Sequence, residues 1–84
     1  MRFYLKPEFD NRKSFYNKAV VEVFQKNQKL FSYETLVAEI KEGNAFVYNM
    51  QSKTTIRHIK EFLLQNQIAF KNTNDIKKRY LKEG

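Results

Sequence analysis

The segment Gln51–Asn66, QSKTTIRHIKEFLLQN, contains the most regular pattern in the chain and decides how the rest folds. Its apolar residues recur at spacings of three and four, which is typical of one face of an α-helix. That stripe consists of Ile56, Ile59, Phe62 and Leu63, with Leu64 at its margin. Ser52 or Thr54 supplies the N-cap. Because an apolar stripe must cover an apolar surface, we predict a helix over residues 52–66 that packs on the strands upstream.

The opposite face of this helix is polar and offers little for catalysis. It contains Thr54, Arg57, His58, Glu61 and Gln65. His58 is the only histidine, and we expect it to be a solvated surface residue with Glu61 one turn further along. A metal site would need His58 together with carboxylates such as Glu61 and Glu34, which is a weak basis for one. We therefore expect no enzyme, no metal and no cofactor.

Other catalytic motifs are missing from the sequence as well. The chain has no cysteine nucleophile, and no serine lies in a nucleophile-elbow context. Its only glycines are Gly43 and Gly84, so a glycine-rich phosphate-binding loop is excluded.

Upstream of the helix, three segments are rich in strand-forming residues. They cover residues 15–24, 29–41 and 44–50, and they are separated by turn residues at 25–28 and at Glu42–Gly43. In the first segment Ala19, Val21 and Val23 share an apolar face, which we place toward the helix. The second segment is long for one strand and changes phase, so we expect a bend or bulge near Ser32–Glu34.

The two ends of the chain are less regular. Residues 1–14 begin with a short strand pattern that Pro7 interrupts, and either an edge strand or a loosely docked arm fits them. A short basic helix is predicted over residues 74–82, after a start signal at Asn72–Asp75. The predicted fold is therefore α+β: a three-stranded antiparallel meander packed on one long helix, followed by the short basic C-terminal helix. The N-terminal segment is either a fourth, edge strand of this sheet or an arm.

The composition indicates one small domain over residues 1–84. The absence of cysteine excludes disulfides, so packing of the large aromatic share, 15%, must stabilise the fold. Homodimerisation is an alternative source of additional core. No apolar run approaches the roughly eighteen residues of a membrane span, and residues 1–14 contain no signal-peptide core. We therefore expect a cytoplasmic protein.

The net charge of +7 is unevenly distributed. Residues 1–51 contain eight basic and six acidic residues, whereas residues 52–84 contain eight basic and three acidic ones. Such asymmetry is a common sign of nucleic-acid contact, although basic surfaces also serve solubility. The predicted nucleic-acid-binding residues lie on the two helices: Lys53, Arg57, Lys60, Lys77, Lys78, Arg79 and Lys82.

A protein partner is the main alternative. A sheet that packs on one helix has a second, uncovered face, and exposed aromatic patches on small domains commonly mark interfaces. The residues predicted for such an interface are Tyr16, Val20, Phe24, Phe31 and Tyr48.

Three blocks of the sequence resemble short uncharacterised proteins encoded by phages and prophages of Gram-positive bacteria. The blocks are SFYNKAVVEV at residues 14–23, SYETLVAEI at residues 32–40 and SKTTIRHIKEFL at residues 52–63. Such proteins commonly have glycine near the turn after Asn17 and at the helix C-terminus, where this chain has Asn66-Gln67. The resemblance implies a non-enzymatic accessory protein in the host cytoplasm that binds nucleic acid or inhibits a host protein or defence complex. It implies no active site.

Overall fold

The computed structural model describes residues 1–82, which form five β-strands and two α-helices. The strands are β1 (Arg2–Tyr4), β2 (Ala19–Phe24), β3 (Asn27–Ser32), β4 (Thr35–Lys41) and β5 (Asn44–Val47). The helices are α1 (Lys53–Gln65) and α2 (Thr73–Tyr80). All five strands belong to one antiparallel sheet in the order β1-β2-β3-β4-β5, so each strand pairs with its neighbour in sequence.

The predicted architecture of three strands on one long helix is wrong. The sheet has five strands, and the helices are short, with 13 residues in α1 and 8 in α2. The main error lies in the segment 29–41, which was expected to be a single bent strand. It contains the end of β3 and the whole of β4, and Tyr33 and Glu34 form a tight turn between these two strands.

The Tyr33–Glu34 turn was not predicted because tyrosine and glutamate are unusual in a turn of left-handed residues. Both are left-handed, with φ of 51° and 69°, as a two-residue type I′ hairpin requires. Glycine and asparagine are the usual residues at these positions, because glycine has no Cβ atom to clash and the short asparagine side chain can hydrogen-bond locally in this conformation. The turn at Glu42–Gly43 has the same geometry but includes a glycine, with φ of 85°, and was predicted correctly.

The predicted strand over residues 15–24 begins later in the structure. Tyr16 and Asn17 have φ of 53° and 61°, so the chain turns before it enters β2 at Ala19. Residues 2–4 pair with β2 as an edge strand, with Phe3 opposite Val21. Of the two alternatives given for the N-terminus, the edge strand is the one observed at residues 2–4.

The helix α1 begins and ends as its sequence suggests. The Ser52 side chain accepts a hydrogen bond from the Thr55 backbone N–H, which makes Ser52 the N-cap. At the other end Gln67 is left-handed, with φ of 61°, and the Ile68 N–H donates to the Leu63 carbonyl. This hydrogen bond satisfies one of the carbonyls at the helix C-terminus. Glycine is the residue usually found at the left-handed position that Gln67 occupies here.

The core lies between α1 and one face of the sheet. Ala19, Val21 and Leu30 from the strands contact a cluster that includes Ile59, Phe62 and Leu63 from α1. Each valine, leucine, isoleucine or phenylalanine side chain of this core contributes roughly 1.5–3 kcal/mol when it is fully buried. Ile56, which was predicted in the stripe, is only half-buried at the edge of this cluster, and Leu64 is 37% exposed.

The helix α2 closes the sheet at its β5 edge. Asn72 is its N-cap and Ile76 is its buried anchor. After the helix, Leu81 forms a parallel bridge with Val47, and the Lys82 N–H donates to the Val47 carbonyl at 2.7 Å. The last described residues therefore extend the sheet beyond β5. Neither helix within residues 1–82 is long and apolar enough to span a membrane.

The N-terminal segment crosses α1 and is held there by one carboxylate. Glu61, predicted on the polar face, is buried, and that expectation was wrong. Its oxygens accept the backbone N–H groups of Glu8, Phe9 and Asp10 at 2.9–3.0 Å. A buried carboxylate is tolerated when hydrogen-bond donors surround it, and here the donors belong to the segment that it fixes.

Candidate functional site

The sheet has one covered face and one open face. Side chains alternate along β2, where Ala19 and Val21 point toward α1 while Val20 and Phe24 point away from it. Phe24 is 72% exposed, and Lys29 on the neighbouring strand is also exposed. The open face is therefore the surface on which the strands present side chains to solvent.

Cross-strand pairing arranges the open face in two rows. The first row is apolar and consists of Tyr4, Val20, Phe31 and Leu36, one from each of β1 to β4. The second row alternates in charge and then ends on an aromatic ring: Arg2, Glu22, Lys29, Glu39 and Phe46. Opposite charges on neighbouring strands stabilise this arrangement modestly.

The acidic side chains of the second row are already engaged. Glu22 forms an ion pair with Arg2 at 3.0 Å. Glu39 is buried and accepts a hydrogen bond from the Tyr48 hydroxyl at 2.5 Å, with the Lys41 ammonium 3.6 Å away. This hydrogen bond, together with burial, raises the pKa of Tyr48 to about 12. The carboxylates of the open face are thus partly neutralised by neighbours within the protein.

At one end of the open face the apolar row runs into a groove of about 780 Å³. We call it the aromatic groove and define it by Arg2, Tyr4, Lys18, Val20, Phe31 and Tyr33. The Arg2 guanidinium lies over the Phe31 ring, 5.9 Å from its centroid. Glu34 at the rim is the groove's acidic residue. The groove combines aromatic surfaces with two cations, on a scale typical of ligand-binding clefts.

Two strained turns form the end wall of this groove. The turn at Tyr16–Asn17 and the turn at Tyr33–Glu34 both contain left-handed residues, and none of the four is a glycine. The Tyr33 N–H donates to the Lys18 carbonyl at 2.9 Å, which joins the two turns. Non-glycine residues in this conformation cost of order 1 kcal/mol each and are concentrated at functional sites. Of these four residues, the two tyrosines present large aromatic surfaces to solvent, since Tyr16 is 74% exposed and Tyr33 is 52% exposed.

Behind the Tyr33 turn lies His58, which is buried, so its prediction as a surface residue was wrong. The helix is rotated such that His58 faces Ser32 on β3, with its Nδ1 atom 2.8 Å from the serine Oγ. The Phe15 ring contacts the imidazole edge to face at 4.7 Å, and Tyr33 lies 6.0 Å away. Burial lowers the pKa of His58 to about 4, against the opposing influence of Asp10.

A chain of hydroxyl groups connects the N-cap of α1 with the imidazole. Ser52 Oγ donates to Thr55 Oγ1 at 2.9 Å, and Thr55 Oγ1 lies 3.1 Å from Ser32 Oγ. Ser32 Oγ is in turn hydrogen-bonded to Nδ1 of His58. The other ring nitrogen, Nε2, is buried and has no hydrogen-bond partner among residues 1–82.

The basic residues predicted on the helices do not form one uniform surface. Arg57 pairs with Asp10 at 3.2 Å, and Arg79 pairs with Asp75 at 3.0 Å on the same helix. Lys82 lies beyond the end of α2 and not on a helix. Its ammonium is 5.4 Å from the centroid of the Phe46 ring on the open face. The remaining residues lie on separate helices: exposed Lys53 and half-buried Lys60 on α1, and exposed Lys77 and Lys78 on α2.

The predicted interface residues lie mostly on the open face. Val20, Phe24 and Phe31 are strand residues of that face, and Tyr48 reaches it through its hydrogen bond to Glu39. Tyr16 lies instead on the turn before β2.

Four groove residues were not predicted, namely Arg2, Tyr4, Lys18 and Tyr33. The alternation of Arg2 and Tyr4 around Phe3 is the signal that places the first two on one face of an edge strand.

Comparison with known proteins identifies a family but no function. No curated protein and no solved structure matches the chain. Residues 3–83 match DUF8033, which is described as a family of unknown function. Since the match covers nearly the whole chain, including both turns of the groove and both helices, the chain belongs to the DUF8033 family.

Proposed function

We propose that this protein is a non-enzymatic protein that binds single-stranded nucleic acid in the aromatic groove. The observation that carries the proposal is the placement of Tyr4, Phe31 and Tyr33 beside Arg2 and Lys18 in one cleft of the open sheet face. Bases have π-faces that stack on aromatic side chains, and phosphates are attracted to cations. Interleaved aromatic and basic residues on an open sheet meet both requirements.

Single strands fit this surface better than a duplex. Bases in a duplex are stacked on one another and present only their edges in the grooves, whereas a single strand can turn its bases toward a protein. The exposed ring of Tyr4, with 54% of its surface in solvent, is accessible for such stacking. A base stacked on one aromatic side chain contributes about 1–3 kcal/mol.

The charge distribution supports the same ligand. Free carboxylates on the open face would oppose this ligand, since carboxylates repel phosphates. In the structure Glu39 is buried and hydrogen-bonded, and Glu22 is paired with Arg2. Lys18, Lys29 and Lys41 remain exposed around them. The net charge of +7 adds a long-range attraction for a polyanion.

The proposed ligand is nucleic acid, as predicted from the sequence, but the proposed contact surface lies on the sheet and not on the helices. Arg57 and Arg79 pair with acidic residues, as Arg2 of the groove does with Glu22, so ion pairing weakens phosphate binding on both surfaces. Lys77 and Lys78 lie on α2, which packs at the β5 edge, far in the sheet order from the β1 edge of the groove. The implied origin in a mobile element is consistent with an accessory protein that acts by stoichiometric binding.

The proposal is tested by fluorescence anisotropy with a labelled oligothymidylate of about ten nucleotides, a length within the usual range of single-strand sites. Tyr4→Ala should weaken binding roughly tenfold because a stacking surface is lost. Phe24→Ala is the matched control, since Phe24 is an exposed aromatic residue at the opposite end of β2. Lys18→Glu should weaken binding more than Lys78→Glu, which makes the same charge reversal on α2.

The salt dependence distinguishes nucleic acid from the alternative partner. Phosphate contacts make the logarithm of affinity fall linearly with the logarithm of salt concentration, by about 0.7 for each phosphate neutralised on a single strand. Equal effects of Lys18→Glu and Lys78→Glu would remove the groove from the site. Absence of oligonucleotide binding at low salt would refute the proposed function and favour a host protein on the same aromatic face.

A further inference from the structure

The sheet has two edges, and the described chain, residues 1–82, covers one of them. At the β5 edge the Lys82 N–H donates to the Val47 carbonyl at 2.7 Å. At the other edge no segment among these residues pairs with β1 on the side opposite β2. After β1 the chain crosses α1, where the Gln65 side-chain amide donates to the Lys6 carbonyl. The outer edge of β1 is therefore open.

The pairing of β1 with β2 shows which backbone groups point to this open edge. The Met1 ammonium donates to the Val23 carbonyl at 3.0 Å, and the Val23 N–H donates to the Met1 carbonyl at 2.7 Å. The Leu5 N–H also donates to β2, at 2.8 Å. In an antiparallel ladder, pairs that exchange backbone hydrogen bonds alternate with pairs whose backbone groups face away from each other. The N–H and C=O groups of Arg2 and Tyr4 consequently point outward.

The side chains of β1 are unusual for a free sheet edge. Edge strands are commonly protected from further pairing by charged side chains, proline or bulges. β1 instead presents Phe3 and Tyr4, which are 40% and 54% exposed, and Met1 before it is 84% exposed. Arg2 is its only charged residue and is paired with Glu22. A free edge that carries aromatic side chains is a template for another strand.

The strand β1 is complementary to itself in one antiparallel register. When Phe3 lies opposite Phe3 of a second copy, Arg2 lies opposite the second copy's Tyr4, and these two residues exchange both backbone hydrogen bonds. The Arg2 guanidinium then faces an exposed aromatic ring, which is a favourable cation–π arrangement. The Phe3 side chains meet on the other face of the sheet, in a pair without hydrogen bonds, where side chains approach most closely.

The neighbouring hydrogen-bonded registers are less favourable because they bring like charges together. A shift by two residues in one direction places Arg2 opposite Arg2 of the second copy, and the opposite shift places Arg2 opposite Lys6. Like charges directly opposite each other on neighbouring strands are destabilising. Charge therefore favours the register centred on Phe3.

We propose that this protein forms a homodimer in which β1 pairs antiparallel with β1 of a second copy across a two-fold axis at Phe3. The dimer has one continuous sheet of ten strands, five from each copy. The aromatic groove of each copy includes Arg2 and Tyr4, so the two grooves adjoin at the axis. Because β1 has only three residues, the interface is small and dimerisation depends on protein concentration.

Disulfide cross-linking tests the register, because the chain has no cysteine of its own. Phe3→Cys places two thiols opposite each other, with Cα atoms about 4.5 Å apart, a separation that a disulfide spans. Mild oxidation should convert most of this variant to a covalent dimer on a non-reducing gel. Phe24→Cys is the matched control, because Phe24 is exposed on β2, away from the edge, and this variant should stay largely monomeric.

A mixture of two variants tests the register more closely. Arg2→Cys and Tyr4→Cys should each cross-link poorly alone and efficiently when mixed, since these positions lie opposite each other across the axis. Equal cross-linking of Phe3→Cys and Phe24→Cys would show random collision and would overturn the proposal.

Proline at the edge tests the backbone hydrogen bonds. Arg2→Pro removes an N–H that points outward, and proline is tolerated in an edge strand at such a position. Arg2→Ala removes the same side chain and keeps the N–H. In sedimentation equilibrium the wild type should dimerise at high protein concentration. The dissociation constant of Arg2→Pro should be roughly thirtyfold above that of Arg2→Ala, since one hydrogen bond is lost in each copy.

The remaining outcomes would contradict the dimer. If the wild type sediments as a monomer at every concentration and Phe3→Cys does not cross-link, the proposal is wrong. If the wild type dimerises and both Arg2 variants dissociate alike, the contact lies on another surface and β1 pairing is refuted. These experiments contain no nucleic acid, so their results are independent of the proposed ligand.

Discussion

Glu61 and His58 are polar residues of α1 that the fold buries for different reasons. Glu61 is accommodated because backbone N–H groups from the N-terminal segment donate to its oxygens, with the Gln65 amide at 2.6 Å as a further donor. His58 is accommodated as a neutral ring that is hydrogen-bonded through Nδ1 only. Glu61 therefore fixes the position of the N-terminal segment, whereas His58 has one ring nitrogen buried without a partner among residues 1–82.

Glu61→Gln should destabilise the protein by about 2–3 kcal/mol, because the amide replaces a charged acceptor and turns a donor toward other donors. Urea unfolding measures the loss, and Glu34→Gln at an exposed position serves as the control. Hydrogen exchange at the backbone amides of Glu8, Phe9 and Asp10 should accelerate. A change below about 0.5 kcal/mol would contradict the role assigned to this carboxylate.

Stability should decrease in mild acid because of His58. Its pKa is lowered from the ordinary 6.5 to about 4 in the folded protein, so the unfolded chain binds the proton more readily between these values. The contribution to stability is fully present above about pH 6.5 and is lost as pH falls toward 4. Its full size is about 3 kcal/mol, at 1.36 kcal/mol per pKa unit.

NMR titration of the single imidazole measures this pKa directly. A midpoint near 4 is expected. A midpoint near the ordinary value of 6.5 would mean that His58 is solvated, which would contradict its burial against Phe15 and Ser32.

Turns and helix ends determine how this chain is divided into elements. Apolar alternation in β2, the glycine turn before β5 and the heptad-like spacing in α1 are visible in the sequence, and they predicted elements that the structure contains. The turn at Tyr33–Glu34 has no glycine or asparagine, so the two strands around it were predicted as one. The orientation of α1 was also misjudged, because His58 and Glu61 are buried by partners far away in sequence.

The candidate site was predictable to a similar extent. A net positive charge and an uncovered aromatic sheet face follow from composition and alternation. The groove depends on how Arg2 and Tyr4 pair with β2 and on how the Tyr33 turn meets Lys18. Such contacts between distant segments leave no periodic signal, and spacing arguments therefore assigned the site to the more regular helices.

The residues of the Tyr33–Glu34 turn should strengthen ligand binding while lowering the stability of the fold. Replacing both residues, Tyr33→Asn with Glu34→Gly, should stabilise the protein by about 1 kcal/mol, since a type I′ turn then has its preferred residues. The melting temperature should rise by about 4–8 °C for a domain of this size. Oligonucleotide binding should weaken because the Tyr33 ring is lost.

Glu34→Gly alone is the matched control, with a smaller gain in stability and unchanged or tighter binding. If the double variant is destabilised, the left-handed strain assigned to this turn is absent. If it binds as tightly as the wild type, Tyr33 does not belong to the ligand site.

The molecule as a whole is a two-layer domain with unequal faces. The N-terminal segment, α1 and α2 together cover one face of the sheet and its β5 edge. The other face presents aromatic and basic side chains, and the aromatic groove opens beside the turns at Tyr16–Asn17 and Tyr33–Glu34. On this basis we propose that the covered side is structural and that the open side binds the ligand.

Mapping the ligand onto the backbone amides tests this division most directly. Uniformly ¹⁵N-labelled protein is titrated with oligothymidylate at low salt, and the change in each amide signal is recorded. The largest changes should fall at Tyr4, Val20, Phe31 and Tyr33, with Lys77 and Lys78 on α2 almost unaffected. Changes confined to the helices would contradict the assignment of the ligand site to the open face.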